Sequence, residues 1–436
     1  MARPMRSRGG AAATWADAAG WGQVGPVFSG GNQVRLLRGG DELFPAMCEA
    51  IAAARHEIWL ATYIFHHDPA ATAVAQALAQ AGQRGVKVGV VVDGFGSKTT
   101  LDGLRNLLNA PHVDLAVFRP VGRWWSLLQP GQLRRLHQKL CVIDGHVGFV
   151  GGINVLDDRR DLRHGLTDTP RLDFAVEVRG PMVAAVAQTA RAMWSRAALG
   201  SDWRDEAKAL ARSSEPLARA RRMFRRMRIL PSGQSLLKGA YDSDPMQAAF
   251  VVRDNLRQRR AIEQAYIDAI VGARSRVDLV NPYFYPGRSF RRALGAAARR
   301  GVRVRLLLQG KVDYRFAALA AQVLYEELLA AGVQIFEYTP AFLHAKVGLV
   351  DDEWATVGSS NIDPLSLLLN LEANVIVRDP GFSAELSGEF ESALAVAHQV
   401  ESATVQGGGL QALLRKGFVA WVAHWFLRLA GITGRY

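Results

Sequence analysis

From residue 50 to 65 the chain reads AIAAARHEIWLATYIF: the end of a helix, a short polar link, then a run of apolar and β-branched positions without alternation. The pattern returns as AIVGARSRVDLVNPYF at 269–284, and RGVKVGVVVDG at 84–94 returns as RGVRVRLLLQG at 300–310. Short runs of continuous apolar residues predict strands buried on both faces, because a strand with one wet face would alternate. Each half reads helix, strand, helix, strand, helix, strand, and then two closely spaced apolar runs. In KLCVIDGHVGFVGG those runs predict a hairpin turning at Asp144-Gly145. The expected fold class is therefore α/β, with two duplicated α/β/α sandwich domains, each a mixed sheet covered by helices on both sides.

The repeated segments are offset by 219 and 216 residues, a drift no larger than a loop. That period is far beyond the roughly 20 to 50 residues of a stacked solenoid, so it indicates a duplicated domain. At 436 residues the chain is also long enough for two cores. The expected division is a flexible tail at 1–30, a first domain at 31–200, a basic connector at 201–240, a second domain at 241–400 and a C-terminal segment at 401–436. The connector is inferred from SSEPLARARRMFRRMRILPSG, where Pro, Ser, Gly and a dense Arg run interrupt the pattern.

Charge narrows the partners. Lys plus Arg number 53 against 40 Asp plus Glu, giving +13, and a pI near 10.1 favours an anionic partner, either nucleic acid or an acidic membrane. The two cysteines, Cys48 and Cys141, both lie in apolar segments, which argues against a disulfide framework and for a reducing compartment. The N-terminus lacks the continuous apolar stretch of a secretory signal. The best spanning candidate, 417–432, is broken by His424 and Arg428, so an integral membrane protein is not expected.

The chemistry lies in a third repeat. LHQKLCVIDG (136–145) and LHAKVGLVDD (343–352) both spell His-x-Lys-x-x-x-x-Asp, and an Asn follows each His by 17 positions, at Asn154 and Asn361. In an extended strand alternate side chains share a face, so His137 pairs with Lys139 and His344 with Lys346. Two ammoniums and two amides converging on one point can bind a phosphate and follow its charge into the transition state. Two imidazoles flanking that phosphorus can divide the work, one attacking and the other protonating the departing oxygen, through a phosphohistidine. Each imidazole needs an acceptor on its second nitrogen. Asp173 in RLDFAVEVRG and Glu372 in LNLEANVIV each stand at the start of an apolar strand downstream of the motif and are the candidates.

These residues resemble the phospholipase D superfamily, whose signature H-x-K-x4-D-x6-G-S-x-N normally occurs twice. The second half matches in full, as His344, Lys346, Asp351, Gly358, Ser359 and Asn361; the first has His137, Lys139, Asp144, Gly151 and Asn154, with Gly152 in place of the Ser. That departure removes a hydroxyl which in the family helps orient a catalytic His, so the two sites need not be chemically equal. Within the superfamily the chain is most similar to the bacterial cardiolipin synthases, specifically the short B form, through GG-x-N, VGSSNIDPLSLLLNLEANVIV (357–377), ATYIF (61–65) and NPYFYPG (281–287).

The resemblance implies a metal-independent ping-pong transfer without a cofactor. A phosphatidyl group would pass from one phosphatidylglycerol to another with loss of glycerol, in an active site at the pseudo-two-fold domain interface. His137, Lys139, Asp144, His344, Lys346 and Asp351 would form the catalytic motif, with attack assigned to His137 and acid/base duty to His344. Asp144 and Asp351 are expected mainly to brace the hairpins, and Asn154, Asn361 and Ser359 to hold phosphate. Anionic phospholipids and a membrane surface are the implied partners, with no nucleic acid expected. The implied location is peripheral, on the cytoplasmic face of the bacterial cell membrane.

Two further features suit lipid. RWWSLLQPGQLRRLH (123–137) places Trp124, Trp125, Arg134 and Arg135 before the first motif. The C-terminal segment sets Phe418, Trp421, Val422, Trp425, Phe426 and Leu429 on one helical stripe beside Arg415, Lys416 and Arg428, a pattern for lying in the interface. The Arg run from Arg219 to Arg228 suits the same acidic surface. Competing readings are a phospholipid hydrolase or headgroup exchanger, a nuclease of the same superfamily, and a non-catalytic membrane binder. The last is disfavoured because both His and both Lys are kept.

Overall fold

The computed structural model describes residues 25–121, 134–161, 165–211, 246–254, 258–311, 324–363, 366 and 370–401. The tail before residue 25, the loop carrying Trp124 and Trp125, the Arg219–Arg228 run and the C-terminal aromatic stripe lie outside the described residues.

The first half runs β1 (Gln33–Arg38), α1 (Gly39–Ala53), β2 (Glu57–Thr62), α2 (Pro69–Gln83), β3 (Lys87–Asp93), α3 (Leu101–Leu107), β4 (Val113–Phe118), β5 (Leu140–Ile143), β6 (Val147–Gly151), a small β7–β8 hairpin (Arg160–Asp161, Gly165–Leu166), β9 (Phe174–Arg179) and α4 (Val183–Ala211). The second half runs β10 (Gln247–Arg253), α5 (Ala261–Gly272), β11 (Arg276–Asn281), α6 (Arg288–Arg299), β12 (Arg303–Gln309), a helical segment at 324–330, β13 (Gln334–Tyr338), β14 (Val347–Val350), β15 (Trp354–Gly358), β16 (Glu372–Arg378), α7 (Pro380–Ala395) and β17 (His398–Gln399).

The first sheet is ordered β1-β9-β6-β5-β2-β3-β4 and the second β10-β16-β15-β14-β11-β12-β13-β17. Apart from the added edge strand β17 these are the same order, so the duplication seen in sequence is a duplication of topology. In each sheet three strands run parallel (β2-β3-β4; β11-β12-β13) and the rest antiparallel, giving the mixed sheets expected. The sheets differ from expectation at β1 and β10. These strands precede the first helix of each half and pair antiparallel with β9 and β16.

Local chemistry explains the element boundaries. Asp68 caps α2 by accepting the Ala71 N–H at 2.9 Å, and Asp379 caps α7 through Phe382 at 2.8 Å, each followed by a proline whose missing N–H costs nothing in the first helical turn. The β5–β6 turn has positive φ at both Asp144 (51°) and Gly145 (69°), as a type I′ hairpin requires, and the His146 N–H closes it on Ile143 O at 3.0 Å. Helix α4 continues to Ala211, eleven residues into the stretch expected to be connector.

Three apolar clusters build the interior. One lies under α1 and α2 and another under α5 and α6, each covering the outer face of its own sheet. The third joins both halves: Val176 and Val178 of β9, Val375 and Val377 of β16, Val186 and Met193 of α4 and Phe390 of α7 share one buried cluster. Burying each such side chain contributes on the order of 1.5 to 3 kcal/mol, so the halves are held together by a core rather than by a surface contact. No described helix is long and apolar enough to cross a membrane.

Candidate active site at the junction of the halves

Two short parallel bridges stitch the halves together beside the motifs, Leu136 to Leu371 and Leu172 to Leu343. At the first, the His137 N–H donates to Leu371 O at 3.0 Å and the Leu371 N–H to Arg135 O at 2.9 Å. At the second, the His344 N–H donates to Leu172 O at 2.8 Å and the Leu172 N–H to Phe342 O at 2.9 Å. The segment leading into each motif histidine therefore lies against the segment leading into the other half's carboxylate strand.

Each carboxylate consequently reaches across the junction. His137 Nδ1 is 3.0 Å from Glu372 Oε2, and His344 Nδ1 is 2.6 Å from Asp173 Oδ2. The sequence offered both carboxylates as acceptors without saying which served which ring; the pairing is crossed. An Nδ1–H donated to a carboxylate leaves the lone pair of each ring on Nε2. Both carboxylates are buried, and the imidazoles keep 12% and 21% of their side-chain surface. The reactive rings are thus the accessible part of the cluster.

Burial dominates the electrostatics. It pulls His137 below its ordinary value, although Glu372 opposes the shift, and it pulls His344 further down, with Lys346 and Arg171 adding to it. Burial thus disfavours the charged form of both rings. Burial also lowers Lys139 to about 7 and Lys346 to about 8, the carboxylates of both halves resisting. The Asp173 carboxyl is pushed up to about 6 by burial. Glu372 is equally enclosed, yet the charge of His137 and Lys139 and the hydrogen bonds from His137 and Ser359 hold it below the usual carboxylate range. Both lysines turn back on their own motif, Lys139 Nζ donating to His137 O at 2.7 Å and Lys346 Nζ donating to His344 O.

Asn154 spends its amide oxygen on the Ile64 N–H at 3.2 Å, which leaves its NH2 as the free donor. Asn361 is also buried, and its Oδ1 has no hydrogen-bond partner among the described residues. Tyr63 was not picked out from sequence. Its ring meets His137 edge to face at 5.1 Å between centroids, and Lys139 Nζ lies 5.7 Å over the same ring. The signal was present, since Tyr63 lies within ATYIF just after β2, but a tyrosine following a strand carries no motif.

Asp144 and Asp351, expected mainly to brace the hairpins, each sit seven residues beyond their histidine. Asp144 accepts the N–H groups of Arg55, His56 and Glu57, each at 2.8 Å, and Asp351 accepts those of Arg274, Ser275 and Arg276 together with the Ser275 hydroxyl at 2.8 Å. They brace the helix-to-strand link as well as the hairpin. Ser359 was expected to hold phosphate. It is fully buried and donates to Glu372 Oε2 at 2.5 Å, so it acts on the carboxylate that holds His137. Among the described residues no group of His, Cys, Asp and Glu is arranged to hold a metal.

The family described as "Cardiolipin synthase, PLD-like domain" matches residues 47–164 and 266–394, one match to each half. Cardiolipin synthase B of Escherichia coli O6:H1 is 37% identical over 367 residues, 84% of this chain and 81% of that protein. Cardiolipin synthase A of Pseudomonas fluorescens is 32% identical over 369 residues, 85% of this chain and 70% of that protein. Among solved structures, phosphatidylserine synthase of Haemophilus influenzae superposes with a TM-score of 0.65 at 15% identity, covering 91% of this chain and 95% of that one, a likeness of fold.

Proposed function

The chain belongs to the cardiolipin synthase family of phospholipase D-like proteins, and from that premise we propose that it joins two phosphatidylglycerol molecules into cardiolipin with release of glycerol. The observation that carries the mechanism is the crossed pairing of His137 with Glu372 and His344 with Asp173, which sets two oriented imidazoles at one junction.

In the first step His137 Nε2 attacks the phosphorus of the donor lipid. The bond from phosphorus to the glycerol oxygen breaks, and His344 Nε2 supplies the proton to that oxygen. In the second step the terminal hydroxyl of another phosphatidylglycerol gives its proton to His344 and attacks the same phosphorus, and the His137 nitrogen leaves. The phosphate is itself the switch that arms the acid. An anion beside two rings and two lysines whose charged forms are disfavoured by burial stabilises those forms, reversing the effect of burial. Lys139, Lys346 and the NH2 groups of Asn154 and Asn361 then meet the charge on the equatorial oxygens. Glu372 offsets the positive charge of a phosphorylated His137 ring.

The enzyme works at the membrane surface on anionic phospholipid, and we place it on the cytoplasmic side, in keeping with two unpaired cysteines and a net charge of +13. The test is to incubate the pure protein with phosphatidylglycerol vesicles in excess EDTA and follow cardiolipin and glycerol. Equal release of both is expected; phosphatidic acid as the sole lipid product identifies a hydrolase, and cleavage of a DNA control alone identifies a nuclease. A His344→Asn variant is expected to retain labelled lipid covalently and His137→Asn is not, and the opposite result exchanges their roles.

A further inference from the structure

The halves anchor their carboxylates by different means. Gly152 and Ser359 are equivalent positions: the Gly152 N–H donates to Phe174 O and the Ser359 N–H to Ala373 O, both at 3.0 Å, so Asp173 and Glu372 stand at the same place one residue earlier. In the second half the Ser359 hydroxyl grips Glu372 Oε2 at 2.5 Å and accepts the Ala373 N–H at 3.0 Å. In the first half a Cβ at position 152 would lie 2.4 Å from Asp173 Oδ1 and 3.1 Å from its Cγ and Oδ2. The volume that a serine side chain would take is already filled by the carboxylate. Aspartate is a methylene shorter than glutamate, so its carboxylate stays near its own main chain. Oδ1 accepts the Phe174 N–H at 2.9 Å while Oδ2 reaches His344.

We infer that Gly152 is a positioning residue, and that Gly152–Asp173 and Ser359–Glu372 are matched pairs in which the small residue admits the short carboxylate and the hydroxyl steadies the long one. A mismatch in either half moves a carboxylate and, through it, the imidazole across the junction: His344 for the first pair, His137 for the second. The glycine is thus the complement of the aspartate rather than a lost contact. Taken with the proposed reaction, the two anchorages suit unequal work. The carboxylate held firmly anionic stands beside the ring that carries the phosphatidyl group, and the one that titrates near neutrality stands beside the ring that passes protons.

The test uses the full chain and reads headgroup release from phosphatidylglycerol, with kcat and KM separated and folding followed by thermal melting. Gly152→Ser is expected to lower kcat by about a hundredfold while KM changes by less than about threefold. Adding Asp173→Glu, which rebuilds the pair of the other half, is expected to return at least about tenfold of that loss. Ser359→Gly removes atoms and introduces no clash, so it reports even if Gly152→Ser does not fold. It is expected to lower kcat, and Glu372→Asp added to it is expected to restore rate. The inference is overturned if Gly152→Ser leaves kcat unchanged, or if neither double variant is faster than its folded single. Because the readout is headgroup release, a wild type that releases glycerol without making cardiolipin would sink the proposed synthesis and leave this comparison intact.

Discussion

Binding of a small dianion should make the protein take up protons at pH 8, through its two buried lysines. Lys139 is lowered to about 7 and Lys346 to about 8, in each case chiefly by burial. At pH 8 the first then carries about a tenth of a proton and the second about half. An anion about 4 Å from an ammonium at an effective dielectric near 20 stabilises the charged form by about 4 kcal/mol. That corresponds to about three pKa units, enough to return both lysines to full charge. The sign follows: groups whose pKa burial has depressed lose charge as pH rises through 7 to 8, and an anion reverses this by drawing protons from solvent, about 1.4 to the two lysines, to which protonation of the rings adds. Sulfate is the probe, because it does not itself titrate at pH 8. Calorimetric titration in buffers of different ionisation enthalpy reads the number directly. Lys139→Arg, whose charge is permanent, should cut the uptake by about 0.9 of a proton. A binding heat that is the same in every buffer at pH 8 would refute the reasoning, because the lysines would then be fully charged before the anion arrives.

Three other outcomes are expected. Asp173 is pushed up to about 6, so its charged form is present above that pH and lost as pH falls through it; kcat for glycerol release should decline on the acid side of about 6, and a profile flat from pH 7 to 5 would count against the Asp173–His344 pairing. Glu372→Gln keeps the shape of the side chain but removes the charge beside His137, and should lower kcat by about a thousandfold with KM little changed in steady-state kinetics. Asp144→Ala leaves three N–H groups without their acceptor and puts alanine at φ 51°, so thermal or urea unfolding should show a loss of about 1 to 3 kcal/mol, with kcat per folded molecule retained.

Much of this was legible in the sequence for definite physical reasons. Strands such as β3 and β12 are buried on both faces, so they read as unbroken apolar runs, and the hairpin at Asp144-Gly145 was visible because only a few residue types take positive φ without strain. Strands β1 and β10 were not visible. QVRLLR alternates over only a few residues and ends in a polar position, and the partners that make each a strand, β9 and β16, lie more than a hundred residues away. The histidines, lysines and asparagines announced themselves by repeating at one spacing. Ser359 repeats nothing, since position 152 is glycine, and its role depends on the carboxylate it touches across the sheet. Asp144 and Asp351 repeated as faithfully as the histidines and yet serve the backbone, which shows that a shared spacing marks a shared fold as readily as shared chemistry.

The crossing of the carboxylates gives the duplication its chemical meaning. Were each half to orient its own histidine, the chain would hold two separate sites, and the domains could move against one another without altering either. Instead Glu372 serves His137 and Asp173 serves His344, and the bridges Leu136–Leu371 and Leu172–Leu343 lie immediately beside those contacts. Orienting the rings and docking the halves are thus one event, stabilised by the shared core of β9, β16, α4 and α7. A displacement of about an ångström at this junction would lengthen both imidazole–carboxylate contacts together, and such an error is enough to lower a positioned reaction by about a hundredfold. The apolar core between the sheets therefore does catalytic work at a distance, by holding two half-sites in a single register.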